Sequence, residues 1–274
     1  MPSRERSFRV EAVILRHNDW GEADRLLTLF TLELGKVRSV AKGVRKLRSR
    51  KAGHLEPFTR ASLLLARGRE TLLVTQAETI DAYMPLREDL LAATYASYVV
   101  ELLDRFTYEE GENRGLYRLL TETLSRLASS RSTDPSLETG SERLLQDLSV
   151  RYYEMRLLDL VGFRPQLFVC LGCQEEIKPQ DQFFSAERGG VLCPKCARGV
   201  TEARPVTMNV LRYLRHFQRS NWNEAARAPL SAALNREIEM VMQYYLTYLL
   251  ERGLNTPRFL RHLRSNEEGT AGPA

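Results

Sequence analysis

Over the first 80 residues apolar and polar positions alternate with the period of two that marks half-buried strands. FRVEAVILR (8–16) sets Phe8, Val10, Ala12 and Ile14 on one face, and RLLTLFTLE (25–33) is rich in Leu, Thr and Phe. Gly35 then signals a turn before a third run over 37–41. RASLLLA (60–66) and ETLLVTQA (70–77) are joined by Arg67-Gly68-Arg69, a short glycine-containing link of the kind that closes hairpins. Five short strands in so little chain predict a small closed β-barrel.

After Pro85 the period changes. REDLLAATYASYVVELLDRF (87–106) aligns Leu91, Tyr95, Tyr98, Leu102 and Phe106 on one helical stripe, and 116–128 repeats the signal. Ser129 to Gly140 reads as a polar linker. A long helix follows over 141–161 with Leu145, Leu148, Tyr152 and Met155 inward, then helices over 206–220 and 231–253. In the last of these Leu234, Ile238, Val241, Tyr245 and Leu249 are spaced for burial, with Gly253 as the stop. The pattern therefore predicts an α+β chain: a five-stranded barrel over 1–80, an all-helical domain over 81–264 and a disordered tail over 265–274.

Composition narrows the class. The 274 residues are 43% hydrophobic and 27% charged, which excludes a disordered chain, a collagen-like chain or a disulfide-dense scaffold. No run approaches the roughly 20 apolar residues of a spanning helix, and the N-terminus lacks the apolar region of a signal peptide, so a cytoplasmic protein is expected.

The net charge of +5 is unevenly placed. Residues 1–80 carry 16 Lys+Arg against 9 Asp+Glu, and the remainder has a slight acidic excess. KVRSVAKGVRKLRSRK (36–51) holds eight basic residues and no acidic one. One reading is a solvated surface or flexible arm. The other is a phosphate-binding patch, because like charges packed this closely repel one another unless a polyanion screens them. A five-stranded barrel with a long basic loop fits an OB-fold, whose sheet face and loops commonly bind oligonucleotides.

All four cysteines lie in one segment. Cys170-x-x-Cys173 and Cys193-x-x-Cys196 are separated by 19 residues, the pattern of a four-thiolate zinc site. Four sulfurs close the coordination shell, so one structural Zn2+ per chain is expected, folding a zinc element at about 165–200 that has few apolar residues of its own. The alternative is a set of reduced structural cysteines; no thioredoxin-like βαβ pattern surrounds either pair.

No catalytic constellation is visible. His17, His54, His216 and His262 have no metal-binding spacing, and P-loop, dinucleotide and nucleophile-elbow motifs are missing from the sequence. The acidic cluster Asp19, Glu22 and Asp24 is read as a solvated turn or as ion pairs with Arg16 and Arg25, in preference to a metal site. The chain is expected to bind, not to catalyse.

GEADRLLTLFTLELGKVRSVAKGVRKLRSR (21–50), LEPFT (55–59), ASYVVELLDRFT (96–107), RYYEMRLLDLVGFRPQL with C-L-G-C (151–173) and YLTYLLERGLNTPRFLRHL (245–263) together resemble the RecO family of bacterial DNA repair and recombination mediators, in order and over nearly the whole chain. The resemblance implies an N-terminal OB-fold and a helical body that in many members carries a four-cysteine zinc element. It implies binding of single- and double-stranded DNA and annealing of complementary strands. It further implies loading of RecA, with RecR, onto single strands coated by single-strand-binding protein, in the cytoplasm at the nucleoid. The residues expected to contact DNA are Arg38, Lys42, Arg45, Lys46, Arg48, Arg50 and Lys51; Trp20 and Phe58 are candidates for base stacking, with packing inside the barrel the preferred use of Phe58. Arg212, Arg215 and Arg219 share one helix face and form a second basic region: a DNA track, a dock for the acidic tail of single-strand-binding protein, or a solvated face. Arg258, Arg261 and Arg264, each three residues apart, form a similar set near the end. Two competing readings are a zinc-stabilised protein-docking scaffold with incidental DNA binding, and a nucleic-acid enzyme with an unfamiliar site.

Overall fold

The computed structural model describes residues 7–109, 111–129 and 139–250. The chain forms two compact units, Met1–Ser129 and Ser130–Ala274. Most of the expected linker at 129–140, the stop at Gly253, the arginines at 258, 261 and 264 and the tail at 265–274 lie outside the described residues.

In the first unit all five expected strands form: β1 (Ser7–Trp20), β2 (Asp24–Thr31), β3 (Gly35–Ala41), β4 (Arg60–Arg67) and β5 (Leu72–Asp81). They pair in the order β1-β2-β3-β5-β4, and β4 returns to β1 to close a barrel. Every pairing is antiparallel except β3 with β5. The 14-residue β1 pairs β4 through its first half and β2 through its second, with a register shift between Ile14 and Arg16. Such a shift bends one strand around a barrel corner. Val10, Ala12, Ile14, Leu27, Leu29, Leu63 and Leu65 fill the interior, as the alternation predicts. Each large aliphatic buried there contributes about 2 kcal/mol.

Three helices complete this unit: α1 (Pro85–Glu88), α2 (Leu90–Phe106) and α3 (Arg114–Ser129). Asp89 caps α2 by accepting from the Ala92 amide at 2.8 Å. The Lys36 ammonium, first of the eight basic residues, donates to the Asp104 carbonyl (2.6 Å) and carboxylate (3.1 Å) and to the Thr107 carbonyl, so it fastens β3 to the end of α2.

The second unit is built on α4 (Thr139–Leu160), against which α5 (Met208–Arg219) and α7 (Ala232–Leu249) pack. From Gln146 to Met155 every α4 side chain is buried. Leu148, Tyr152 and Met155 are inward as expected, but Leu145 is exposed, because it stands one residue before the covered stretch begins. Ile238, Val241 and Tyr245 form the buried stripe of α7. The expectation of an all-helical domain over 81–264 is corrected here. Three short strands, β6 (Gln182–Ser185), β7 (Gly190–Leu192) and β8 (Arg204–Val206), form an antiparallel sheet in the order β7-β6-β8. The four-residue α6 (Trp222–Ala225) follows α5, held by a capping box between Asn221 and Glu224.

Candidate nucleic-acid interface and thiol cluster

The basic run leaves the barrel at the end of β3. Gly43 makes the turn with φ +64°, a conformation that a side chain would strain. Its amide donates to Asp24 Oδ1 at 2.7 Å. Two residues on, the Arg45 amide donates to the Ala23 carbonyl at 2.9 Å. The loop is thus sewn to the β1–β2 hairpin.

The structure divides the seven candidate DNA-contacting residues into groups. Arg45 reaches the Asp19 carboxylate at 3.2 Å and the Gly21 and Glu22 carbonyls at 3.4 and 3.3 Å. Lys51 donates to the carbonyls of Lys42 (3.2 Å) and Val74 (2.9 Å). Burial depresses its ammonium below the ordinary lysine value, and the Asp24 charge only partly offsets this. Arg38, exposed on β3, pairs with Glu109 at 2.5 Å. Lys42, Lys46, Arg48 and Arg50 are exposed, and no ion pair holds any of them among the described residues. Leu47, between two of these cations, is wholly exposed.

Of the candidate stacking residues, Trp20 at the end of β1 is 59% exposed, beside the hairpin turn to which Arg45 is tied. Phe58 is half-buried in the loop before β4, with its amide on the Ile14 carbonyl at 2.8 Å. The acidic cluster resolves into structural contacts. Asp19 meets Arg25 (3.6 Å) and Arg45, and Asp24 holds Gly43. Arg16 pairs instead with Asp104 at 3.3 Å.

In the second unit the four cysteine sulfurs lie within 4.8 Å of one another, and Cys173 Sγ is 4.0 Å from Cys193 Sγ. Tetrahedral coordination with metal–sulfur bonds of about 2.3 Å places sulfurs roughly 3.8 Å apart, so this donor set fits a thiolate-bound metal ion. Both Cys-x-x-Cys turns are tight. A Cβ on Gly172 would stand 2.6 Å from Cys196 Cβ and 2.8 Å from its sulfur, so only glycine fits there. Burial opposes ionisation of Cys170, but amide hydrogen bonds from Cys193, Cys173 and Gly172 outweigh it and bring the thiol down to about 6. Its neighbour Cys196 is pushed up to about 12, first by its hydrogen bond with the Cys193 thiol and then by burial. A cluster that cannot ionise fully alone is one that a dication would convert to thiolates.

The second basic face, on α5, is also split. The Arg215 guanidinium donates to the Leu167 carbonyl at 2.9 and 2.6 Å, whereas Arg212 and Arg219 are exposed. The structure adds Arg227, after α6, and Phe168, between α4 and the first cysteine pair, to the same cleft. Neither is signalled by local sequence.

No described helix is long and apolar enough to cross a membrane. Compared with known proteins, residues 6–83 match the family described as recombination protein O N terminal, and residues 87–258 match recombination protein O C terminal. A DNA repair protein RecO from Roseiflexus sp. (strain RS-1) is 39% identical, covering 95% of this chain and 87% of the relative. A DNA repair protein RecO from Bifidobacterium adolescentis is 37% identical, with 92% and 98% covered, and one from Dehalococcoides mccartyi (strain 195) is 31% identical, with 91% and 93% covered. The chain belongs to the RecO family of DNA repair proteins.

Proposed function

We propose that the N-terminal unit is an OB-fold that grips nucleic-acid backbones through its basic loop, and that the protein anneals complementary strands without catalysing bond cleavage. The observation that carries this reading is the set of four exposed cations Lys42, Lys46, Arg48 and Arg50, held by no ion pair among the described residues, on a loop fastened to the hairpin that carries Trp20. Cations of this kind neutralise phosphates and release counterions irrespective of sequence, which lowers the repulsion between two strands. Trp20 supplies a face on which a base can stack. Arg45 and Lys51 hold the loop in shape, and Arg38 joins the contact surface at the cost of its pair with Glu109.

In this reading the protein binds single- and double-stranded DNA in the cytoplasm, at the nucleoid. Together with RecR it helps RecA onto single strands coated by single-strand-binding protein. The thiol cluster holds one structural Zn2+ whose chemistry is to cross-link the two Cys-x-x-Cys turns and fold the element around them. The test is strand annealing by the full chain, with and without RecR and single-strand-binding protein. Lys46→Glu/Arg48→Glu/Arg50→Glu should abolish annealing of bare complementary oligonucleotides with the thermal transition unchanged. Unimpaired annealing by that variant would refute the loop.

A further inference from the structure

A cleft of about 940 Å³ in the second unit is bordered by α5, by the chain after α6 and by Phe168 and Glu176 of the first cysteine turn. Four arginines line it: Arg212, Arg215, Arg219 and Arg227. Two acidic residues, Glu176 and Glu224, also line it. Glu176 acts electrostatically on Arg215, and the Glu224 carboxylate accepts from the Asn221 amide at 3.0 Å in the α6 cap. Arg215 is spent on the Leu167 carbonyl. Arg212, Arg219 and Arg227 remain exposed, and no ion pair holds them among the described residues.

We infer that this cleft is a second binding site for a single nucleic-acid strand, in addition to the basic loop of the barrel; the inference rests on the strand-binding reading above. Arg212 and Arg219 are seven residues apart on one helix, about 10 Å along its axis, which is the rise of roughly three stacked nucleotides. The Arg219 guanidinium lies 3.8 Å from the centre of the Phe168 ring and Arg215 lies 5.1 Å from it. A guanidinium plane held in this way is a stacking surface for an unpaired base. The same arrangement disfavours an acidic peptide with an apolar end. Phe168, which with Tyr213 supplies the aromatic rings of the cleft, already carries two guanidinium groups and is not itself open to an aliphatic anchor. Annealing by one chain needs two strands held at once, and a second cationic site supplies the second place.

The position of Phe168 is fixed by the cysteine turn. Its carbonyl accepts from the Ile177 amide at 2.9 Å, and Val169 bridges Glu176. The thiol cluster therefore sets one wall of the cleft.

The test is the stoichiometry of a fluorescent ten-nucleotide thymidine strand on the full chain at low salt. The wild type should bind two strands. Arg212→Glu/Arg219→Glu/Arg227→Glu should bind one, as should the loop variant Lys46→Glu/Arg48→Glu/Arg50→Glu, and each should anneal at least tenfold more slowly. Because the first variant also removes the Arg219–Phe168 stack, Arg212→Glu/Arg227→Glu is measured beside it, with an expected loss of at least threefold in affinity at the second site. Two strands bound by the cleft variants, with annealing unchanged, would overturn the inference and leave the loop reading standing. So would an acidic peptide that binds through these arginines without displacing the strand. A wild type that binds no strand would remove both readings.

Discussion

Arg45 reaches the Asp19 carboxylate at 3.2 Å, and through this contact and the carbonyls of Gly21 and Glu22 the basic loop is held to the hairpin turn beside Trp20. On the proposed reading, a cation so occupied positions its neighbours in preference to neutralising a phosphate. Lys46→Ala, Arg48→Ala and Arg50→Ala should each reduce the salt dependence of single-strand binding by about 0.7 in slope. Arg45→Ala should lower affinity with nearly the same slope, and since the pair is exposed its loss should cost the fold under about 1 kcal/mol. Titrations at several salt concentrations separate the two classes. Equal slopes for Arg45→Ala and Arg48→Ala would remove the distinction.

That distinction was out of reach of the sequence, and the reason is physical. A run of eight cations is visible as charge, but whether each one faces solvent depends on which carbonyls lie nearby. Lys51 finds Val74, 23 positions away, and Lys36 finds Asp104, 68 positions away. The barrel was legible because Val10, Ala12, Ile14 and their partners alternate over runs long enough to show a period. Strands β6 to β8, of four, three and three residues, are too short to show one. The cysteine spacing located the thiol cluster because its members come as local pairs. The Phe168–Arg219 stack joins residues 51 apart and leaves no local trace.

Glu56 predicts a pH dependence. Burial raises its carboxyl, but hydrogen bonds from Arg25 (2.9 Å) and His17 (3.4 Å) outweigh burial, so it lies below the ordinary value of 4.5. A depressed carboxyl contributes stability that is fully present above the unfolded value and is lost as pH falls through the folded one. The difference in thermal midpoint between the wild type and Glu56→Gln should be largest above pH 4.5 and shrink below it. A difference that stays constant from pH 7 to pH 3 would contradict this.

Metal removal should act on one unit. A four-thiolate zinc site contributes roughly 10–16 kcal/mol to folding its module; on the proposed reading the segment so closed, between the two Cys-x-x-Cys pairs, carries β6 and β7. Chelation, or Cys173→Ser/Cys196→Ser, should therefore abolish amide protection over residues 165–206 and leave the barrel strands protected. Hydrogen exchange read by mass spectrometry resolves the two regions, and metal analysis should count one zinc per chain. Full protection of 165–206 after complete stripping would reduce the cysteines to ordinary core and surface thiols.

The last prediction concerns α4, where Arg151 and Glu154 face each other at 2.8 and 2.9 Å with both side chains almost wholly buried. Two charges removed from water recover their desolvation cost only through each other and their remaining hydrogen bonds. Arg151→Met or Glu154→Leu alone removes one member of a buried charged pair and should cost about 3–5 kcal/mol. The double variant removes both charges and should be distinctly more stable than either single one, in the range from neutral to slightly stabilised that apolar replacement of buried pairs commonly gives. Equilibrium denaturation of the three variants forms a closed cycle. If the two single losses simply add in the double variant, the pair is not coupled and each residue is held by other groups. If the double variant recovers, the two charges are coupled and each chiefly offsets the desolvation cost of the other within α4.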